Sequence, residues 1–211
     1  ANSRGMAATD NSTVKNHTGG IITVNGADSE GIYVDYGATA ENYGIINVNG
    51  AGRTGIYLGN GGVLLNAGTI NLSGGADGVI TGSGSLTNIG DITIDGPTAS
   101  IDGVTITNTG TITVNGALDF GTIALGSTEG HIGTINADSF NKGQFIVLPN
   151  ITQGSNHDMY TVQYLNGIMN VPNNGSTTAI SHSVSFIADL QKDDTDPNLI
   201  RVMLVRIPYT K

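Results

Sequence analysis

The side chains with which this chain could do chemistry are few and widely spaced. Seventeen Asp and Glu, eight Lys and Arg and four His stand among 211 residues, and there is no Cys. Cleaving a glycan requires carboxylates that converge, usually beside a basic residue or a bound cation. Here Asp28, Glu30, Asp35 and Glu41 fall in an early stretch, whereas Asp77, Asp91, Asp95 and Asp102 follow singly. Arg53 is the sole Lys or Arg between Asn16 and Asn141, so it has no second base beside it. His17, His131, His157 and His182 lack metal-ligand spacing. Gly82-Ser-Gly-Ser85 reads as a turn, since the chain has no Gly-x-Ser-x-Gly. Gly74-Gly-Ala-Asp-Gly78 resembles one piece of a calcium-binding nonapeptide but does not recur in tandem. The expectation is a protein without catalytic residues, cofactor or metal.

Recognition is the remaining chemistry. Tyr33, Asp35, Tyr36, Tyr43, Arg53 and Tyr57 gather in one early part of the sequence, and aromatic and acidic groups on a flat β-face suit contact with a sugar or a protein. The alternative is that these tyrosines cover turns or pack on their neighbours. The formal charge of −9 and the shortage of basic residues exclude a phosphate-binding surface, hence nucleic acid as a partner. No apolar run approaches the ~18 residues of a membrane span, so this segment is not expected to insert in a bilayer. The opening Ala1-Asn2-Ser3-Arg4 carries no apolar signal segment, and the chain reads as a piece of something longer.

The elements that position these residues announce themselves as a repeat. Gly20-Ile-Ile-Thr-Val-Asn-Gly26 recurs as Gly44-Ile-Ile-Asn-Val-Asn-Gly50, Gly68-Thr-Ile-Asn-Leu-Ser-Gly74, Gly90-Asp-Ile-Thr-Ile-Asp-Gly96 and Gly110-Thr-Ile-Thr-Val-Asn-Gly116, with a degraded copy from Gly133. Steps of 24, 24, 22, 20 and 23 residues correspond to one coil of a solenoid. Alternation puts Ile22, Ile46, Ile70, Ile92 and Ile112 on one strand face as a core stack. A second strand follows at Gly31-Ile-Tyr33, Gly55-Ile-Tyr57 and Gly78-Val-Ile80. A third carries Ala40, Leu64, Leu86 and Ile106, each two residues before Asn42, Asn66, Asn88 and Asn108. Three short strands per coil predict an all-β, right-handed, three-faced parallel β-helix, with those asparagines as a structural ladder. The flanking glycines are expected to supply positive φ at the turns.

Beyond Asn141 the phrase stops and the strands lengthen. Gln144–Leu148 and Tyr160–Tyr164 read as strands, followed by a loop at Asn170–Ser176. Ser183–Leu190, with Val184, Phe186, Ala188 and Leu190 on one face, pairs as a hairpin with Ile200–Val205 across the turn Asp193–Asn198. The predicted organisation is an opening segment or partial coil over 1–15, β-helix coils over 16–141 and a C-terminal β cap over 142–211. A solenoid needs such a cap, because its open end presents unpaired strand edges.

The Asn-Ala-Gly68-Thr-Ile-Asn and Asn-Thr-Gly110-Thr-Ile-Thr phrases, the interleaved Gly-Ile-Tyr elements and the ending Ala188–Arg201 together resemble the passengers of large fusobacterial-type autotransporter adhesins. That resemblance implies a bacterial cell-surface location, with a signal peptide before the passenger and an outer-membrane translocator barrel after it. It further implies adhesion to a protein or glycan on host cells or other bacteria. The last ~70 residues would then be similar to the autochaperone region that folds first and templates the coils. A glycan- or protein-binding module with its own site on the early coils is the second reading, and a polysaccharide lyase or hydrolase the third.

Overall fold

The computed structural model describes residues 3–26, 29–50, 54–73, 78–120, 122–126, 132–141, 143–148, 159–169, 178–181 and 186–207. Among these the chain is all strand and turn, without a helix. Each of the first three coils contributes three strands. They are β1 (Arg4–Ala8), β2 (Thr13–Asn16) and β3 (Ile21–Asn25), then β4 (Glu30–Val34), β5 (Thr39–Asn42) and β6 (Ile45–Asn49), then β7 (Ile56–Leu58), β8 (Val63–Asn66) and β9 (Thr69–Ser73). Next come β10 (Gly78–Gly82), β11 (Ser85–Asn88), β12 (Asp91–Asp102), β13 (Thr105–Asn108), β14 (Thr111–Phe120), β15 (Thr122–Gly126), β16 (Thr134–Phe140) and β17 (Gln144–Leu148). The chain ends in β18 (Met159–Met169), β19 (Thr178–Ser181), β20 (Phe186–Lys192) and β21 (Leu199–Arg206).

The coils stack in parallel and in register. One sheet runs β2-β5-β8-β11-β13-β15-β17-β19, eight parallel strands. The other two strand positions start as separate ladders and then merge. Four residues separate β3 from β4, and none separates the corresponding parts of β12, which turns the corner as one strand. β14, β16 and β18 repeat this, with register shifts at the corner between Val114 and Ala117 and between Asn136 and Ser139. Such bulges bend a strand without breaking its pairing. Two of the three expected faces are therefore continuous in hydrogen bonding over the lower coils, and the 20-residue step from Gly90 to Gly110 coincides with the lost loop.

The stacked rungs form the core. Ile22, Ile46, Ile70, Ile92 and Ile112 align, and the column continues into Ile135 and Leu165. All but the terminal Ile22 are buried. Opposite lie Leu64, Leu86, Ile106 and Leu125. Toward the C-terminal end the aliphatic core gives way to Phe120, Phe140 and Phe145, with the Phe120 and Phe145 rings 4.7 Å apart.

The glycine opening each phrase has a different role from the one its sequence suggested. Gly20, Gly44, Gly68, Gly90 and Gly110 do not adopt positive φ, whereas Gly26 and Gly116, at the other end of the phrase, do. A Cβ at Gly44, Gly68, Gly90, Gly110 or Gly133 would strike the carbonyl oxygen of the opening glycine one coil above. These residues are glycine because the backbones touch at this corner.

The boundary expected at Asn141 does not interrupt the ladders. β17 and β19 extend the eight-stranded sheet, and β18 pairs in parallel with β16. The change of direction comes later, where β21 pairs antiparallel with β18 and β20 pairs antiparallel with β21. Coil geometry depends on rung spacing and on which residues point inward, and Phe145 and Val147 point inward as well as any Ile does. In the hairpin, Ala188 and Leu190 are half-buried while Ile187 and Asp189 face out; Val184 lies outside the described residues.

Gly68→Ala should lower stability by about 2–3 kcal/mol through backbone overpacking. Gly19→Ala, where φ is +81° and nothing lies within 4 Å, should cost only about 1 kcal/mol of backbone strain. Urea unfolding midpoints of the two variants give the comparison.

Candidate functional site

The early-coil residues divide between separate corners. Tyr33 and Tyr57 occupy adjacent rungs of β4 and β7 and stack with ring centroids 5.1 Å apart and planes at 17°. The Arg4 guanidinium covers the other face of Tyr33 at 3.8 Å and its Nε pairs with Glu30 at 2.6 Å. Arg4 thus takes the cationic position that sequence reasoning gave to Arg53, which lies outside the described residues. The stack Arg4–Tyr33–Tyr57 places its rings against one another, so little ring face is left for a ligand.

Asp35 is buried and holds a turn. Its Oδ1 accepts the backbone N–H groups of Tyr36 and Asn60, each at 2.8 Å, and its Oδ2 accepts the Tyr33 hydroxyl at 3.1 Å. Burial and the hydrogen bond to Asp35 together push the Tyr33 hydroxyl pKa up. Tyr36 is exposed with φ of 50°, an unusual conformation for an aromatic residue. Positive φ also occurs at Asp10 and Asn11 in the coil above, and at Gly37 and Gly61, so it belongs to the turn as a recurring element.

Tyr43 stands at the next corner, beyond β5. Its hydroxyl donates to Glu41 at 3.0 Å, and Glu41 pairs with Lys15 at 2.7 Å, whose ammonium lies 5.0 Å from the Tyr43 ring. The hydrogen bond from Lys15, followed by that from Tyr43, lowers the Glu41 carboxyl pKa, and the bond to Glu41 raises that of Lys15. The five described residues of the set therefore divide between separate corners.

The asparagine column is continuous. Asn42 Nδ2 donates to Asn66 Oδ1, Asn66 to Asn88 and Asn88 to Asn108, each at 2.8 Å. Asn16, which sequence reasoning left out, begins the series by donating to Asn42 at 2.8 Å. The same Nδ2 groups also reach backbone carbonyls, as Asn66 does with Gly68 at 3.3 Å and Asp91 at 3.1 Å. Every amide points the same way along the axis, so each bond polarises the next. Below Asn108 the motif changes. Asn108 donates to the Thr134 carbonyl, and the buried Gln163 donates to the Gly133 carbonyl at 2.7 Å. Gln163 gave no sequence signal, because its phrase no longer resembles the repeat.

A catalytic arrangement would need convergent groups. Among the described residues no three His, Cys, Asp or Glu side chains come close enough to hold a metal ion. Asp91 and Asp95 sit on the outer face of β12, and Asp95 accepts a hydrogen bond from Asn115 on the next rung.

Residues 1–102 match a family model described as the BigA third pectate lyase-like domain. The similarity covers the upper coils, and it does not single out the fusobacterial-type group. No curated protein and no solved structure is similar enough to count as a match.

Asn66→Ala should destabilise the protein by about 3 kcal/mol, since it removes the side-chain partner of both the Asn42 amide and the Asn88 oxygen and leaves a gap in a buried column. Asn49→Ala, which removes exposed bonds to Asn25 and Ser73, should stay within about 0.5 kcal/mol. Equal losses in chemical denaturation would contradict a special role for the buried column.

Proposed function

We propose that this chain is a non-enzymatic stalk of a bacterial surface adhesin passenger, ending in the cap that closes its solenoid. The observation that carries the reading is the closure itself. The antiparallel β20–β21 hairpin lies along β18, on the side opposite β16, and buries Ile200, Val202 and Leu204. An uncovered rung would offer its backbone to any passing strand. The similarity of residues 1–102 to a domain of BigA, an autotransporter-like adhesin, supports the passenger role. So does the uncharged outer face of Ile, Thr, Asn and Ser on β3, β6 and β9, which suits a spacer better than a reaction centre.

In this reading the fragment is extracellular and is anchored at the outer membrane through a translocator barrel elsewhere in the protein. It raises more distal recognition regions toward a protein or glycan on a host cell or another bacterium. The cap folds as an autochaperone-like unit and presents the edge of β18 on which the upper coils assemble in turn. The fusobacterial-type lineage is the narrower form of the same proposal.

The hairpin turn is held electrostatically. The hydroxyl and backbone amide of Thr195, then the Arg201 guanidinium and the Asp196 amide, hold the Asp193 carboxyl far below the usual carboxylate range. Arg201 meets Asp193 at 2.7 Å. Because the folded pKa is the lower one, this contribution is complete above the unfolded value of ~3.9 and is lost as pH falls below it. Protection factors of the β20–β21 amides, in which the intrinsic pH dependence of exchange is divided out, should fall progressively below about pH 4. Asp193→Asn should flatten that dependence, and an identical pH profile in the variant would count against the clamp.

Deleting residues 186–211 tests the cap directly. The truncated chain should aggregate or lose cooperative unfolding in sedimentation and denaturation experiments, whereas deleting 3–26 should leave the remaining coils folded. A soluble, cooperatively unfolding protein without the hairpin would overturn the cap role.

A further inference from the structure

The outer face of the lower coils carries a groove that the stalk role does not use. It lies where β14, β16 and β18 turn their bulged corner, and it encloses ≈ 340 Å³. Its polar walls come from Asn115, Asn136, Asp138, Asn166 and Asn198, with Ile168 as an apolar patch. Asn198 belongs to the hairpin turn of the cap, and its carbonyl accepts the Gly167 N–H at 2.9 Å, fixing that turn as one wall.

The availability of these groups distinguishes the groove from the rest of the face. Higher on the same column Asn71 donates to Asn47 at 2.9 Å, so those amides are occupied by each other. At the groove Asn115 is taken up by Asp95 and Asn136 makes only a long 3.4 Å contact to Thr113, while Asn166, Asp138 and the Asn198 side chain have no hydrogen-bond partner among the described residues. Asn166 and Asp138 are exposed, and Ile168 is 58% exposed. Amides offering a donor and an acceptor, one carboxylate and an apolar side chain are thus gathered on adjacent rungs ~4.8 Å apart.

The chemistry selects the ligand class. Among the described residues no Lys, Arg or His lines the groove, and Asp138 would repel an anion, so phosphates and uronic acids are disfavoured. An extended peptide would need a free strand edge, and β14, β16 and β18 are each paired on both sides. Vicinal hydroxyls match the amide donor–acceptor pairs, and the C–H face of a sugar ring matches Ile168. The volume lies at the lower end of small-ligand sites, about 300–1,000 Å³. We propose that this groove, walled partly by the cap, binds a neutral saccharide of about one or two rings. The site stands independently of the stalk reading.

The test is saturation-transfer NMR and calorimetry on the whole chain with lactose, maltose and cellobiose as neutral probes and polygalacturonate as the acidic one. At least one neutral disaccharide should bind. The double variant Asp138→Ala/Asn166→Ala should bind it at least about tenfold more weakly, as expected for two lost hydrogen bonds. Thr93→Ala, higher on the same face, should bind normally. Both altered side chains are exposed and unpartnered, so unchanged melting of the double variant is expected and is measured alongside. Ile168→Asp serves as a second variant and should also weaken binding. Absence of binding by all three neutral sugars, full binding by the double variant, or preference for polygalacturonate would each overturn the proposal.

Discussion

Every feature of this protein depends on one constraint: no coil can bury its own apolar face. A single turn of three short strands has two open edges and a core only one residue thick, so its stability comes from the rungs above and below. Stacking at the strand spacing sets like residues over like. Isoleucine over isoleucine gives the continuous core from Ile22 to Ile135, and asparagine over asparagine gives a chain of 2.8 Å amide bonds from Asn16 to Asn108. Glycine over glycine, at Gly44, Gly68 and Gly90, lets successive backbones meet where a Cβ would collide. The three columns answer one demand in three chemistries: apolar burial, polar satisfaction and steric clearance.

The same constraint makes both ends of the solenoid special. Within the stack each backbone group finds its partner in the next coil, but the last coil must find one elsewhere. Here the chain reverses, and β21 runs antiparallel along β18. The core adapts before that point, with Phe120, Phe140 and Phe145 filling space that Ile and Val fill higher up. Gln163 replaces the asparagine column by reaching a carbonyl of the coil above. The reversal is therefore prepared over several coils, and the corner bulges beside it create a groove where Asn166 and Asp138 have no hydrogen-bond partner among the described residues.

Surface chemistry is similarly governed by repetition. A tyrosine placed above another in register stacks on it, as Tyr33 does on Tyr57, and an acid placed beside a turn caps that turn, as Asp35 does. Repeated outward side chains tend to satisfy each other along the axis. Free recognition groups consequently appear where the repeat is disturbed, at Asn166 and Asp138, and not where it is most regular.

The sequence alone determined the class of fold, the inward columns, the asparagine ladder from Asn42 to Asn108 and the C-terminal hairpin. Those features are written in local alternation and in a fixed period, and stacking converts the period directly into contact. What only the tertiary structure decided was where the coils end, why the opening glycines are glycine, and which surface groups meet. The coils continue past Asn141 because parallel pairing reads inward-facing volume and not the Gly-Thr-Ile phrase. Tyr33 and Tyr43 are close in sequence but turn out at different corners, since β5 lies between them. Arg4 reaches Tyr33 from the neighbouring coil, and Asn198 reaches Gly167 from the C-terminal hairpin, across separations that no local pattern records.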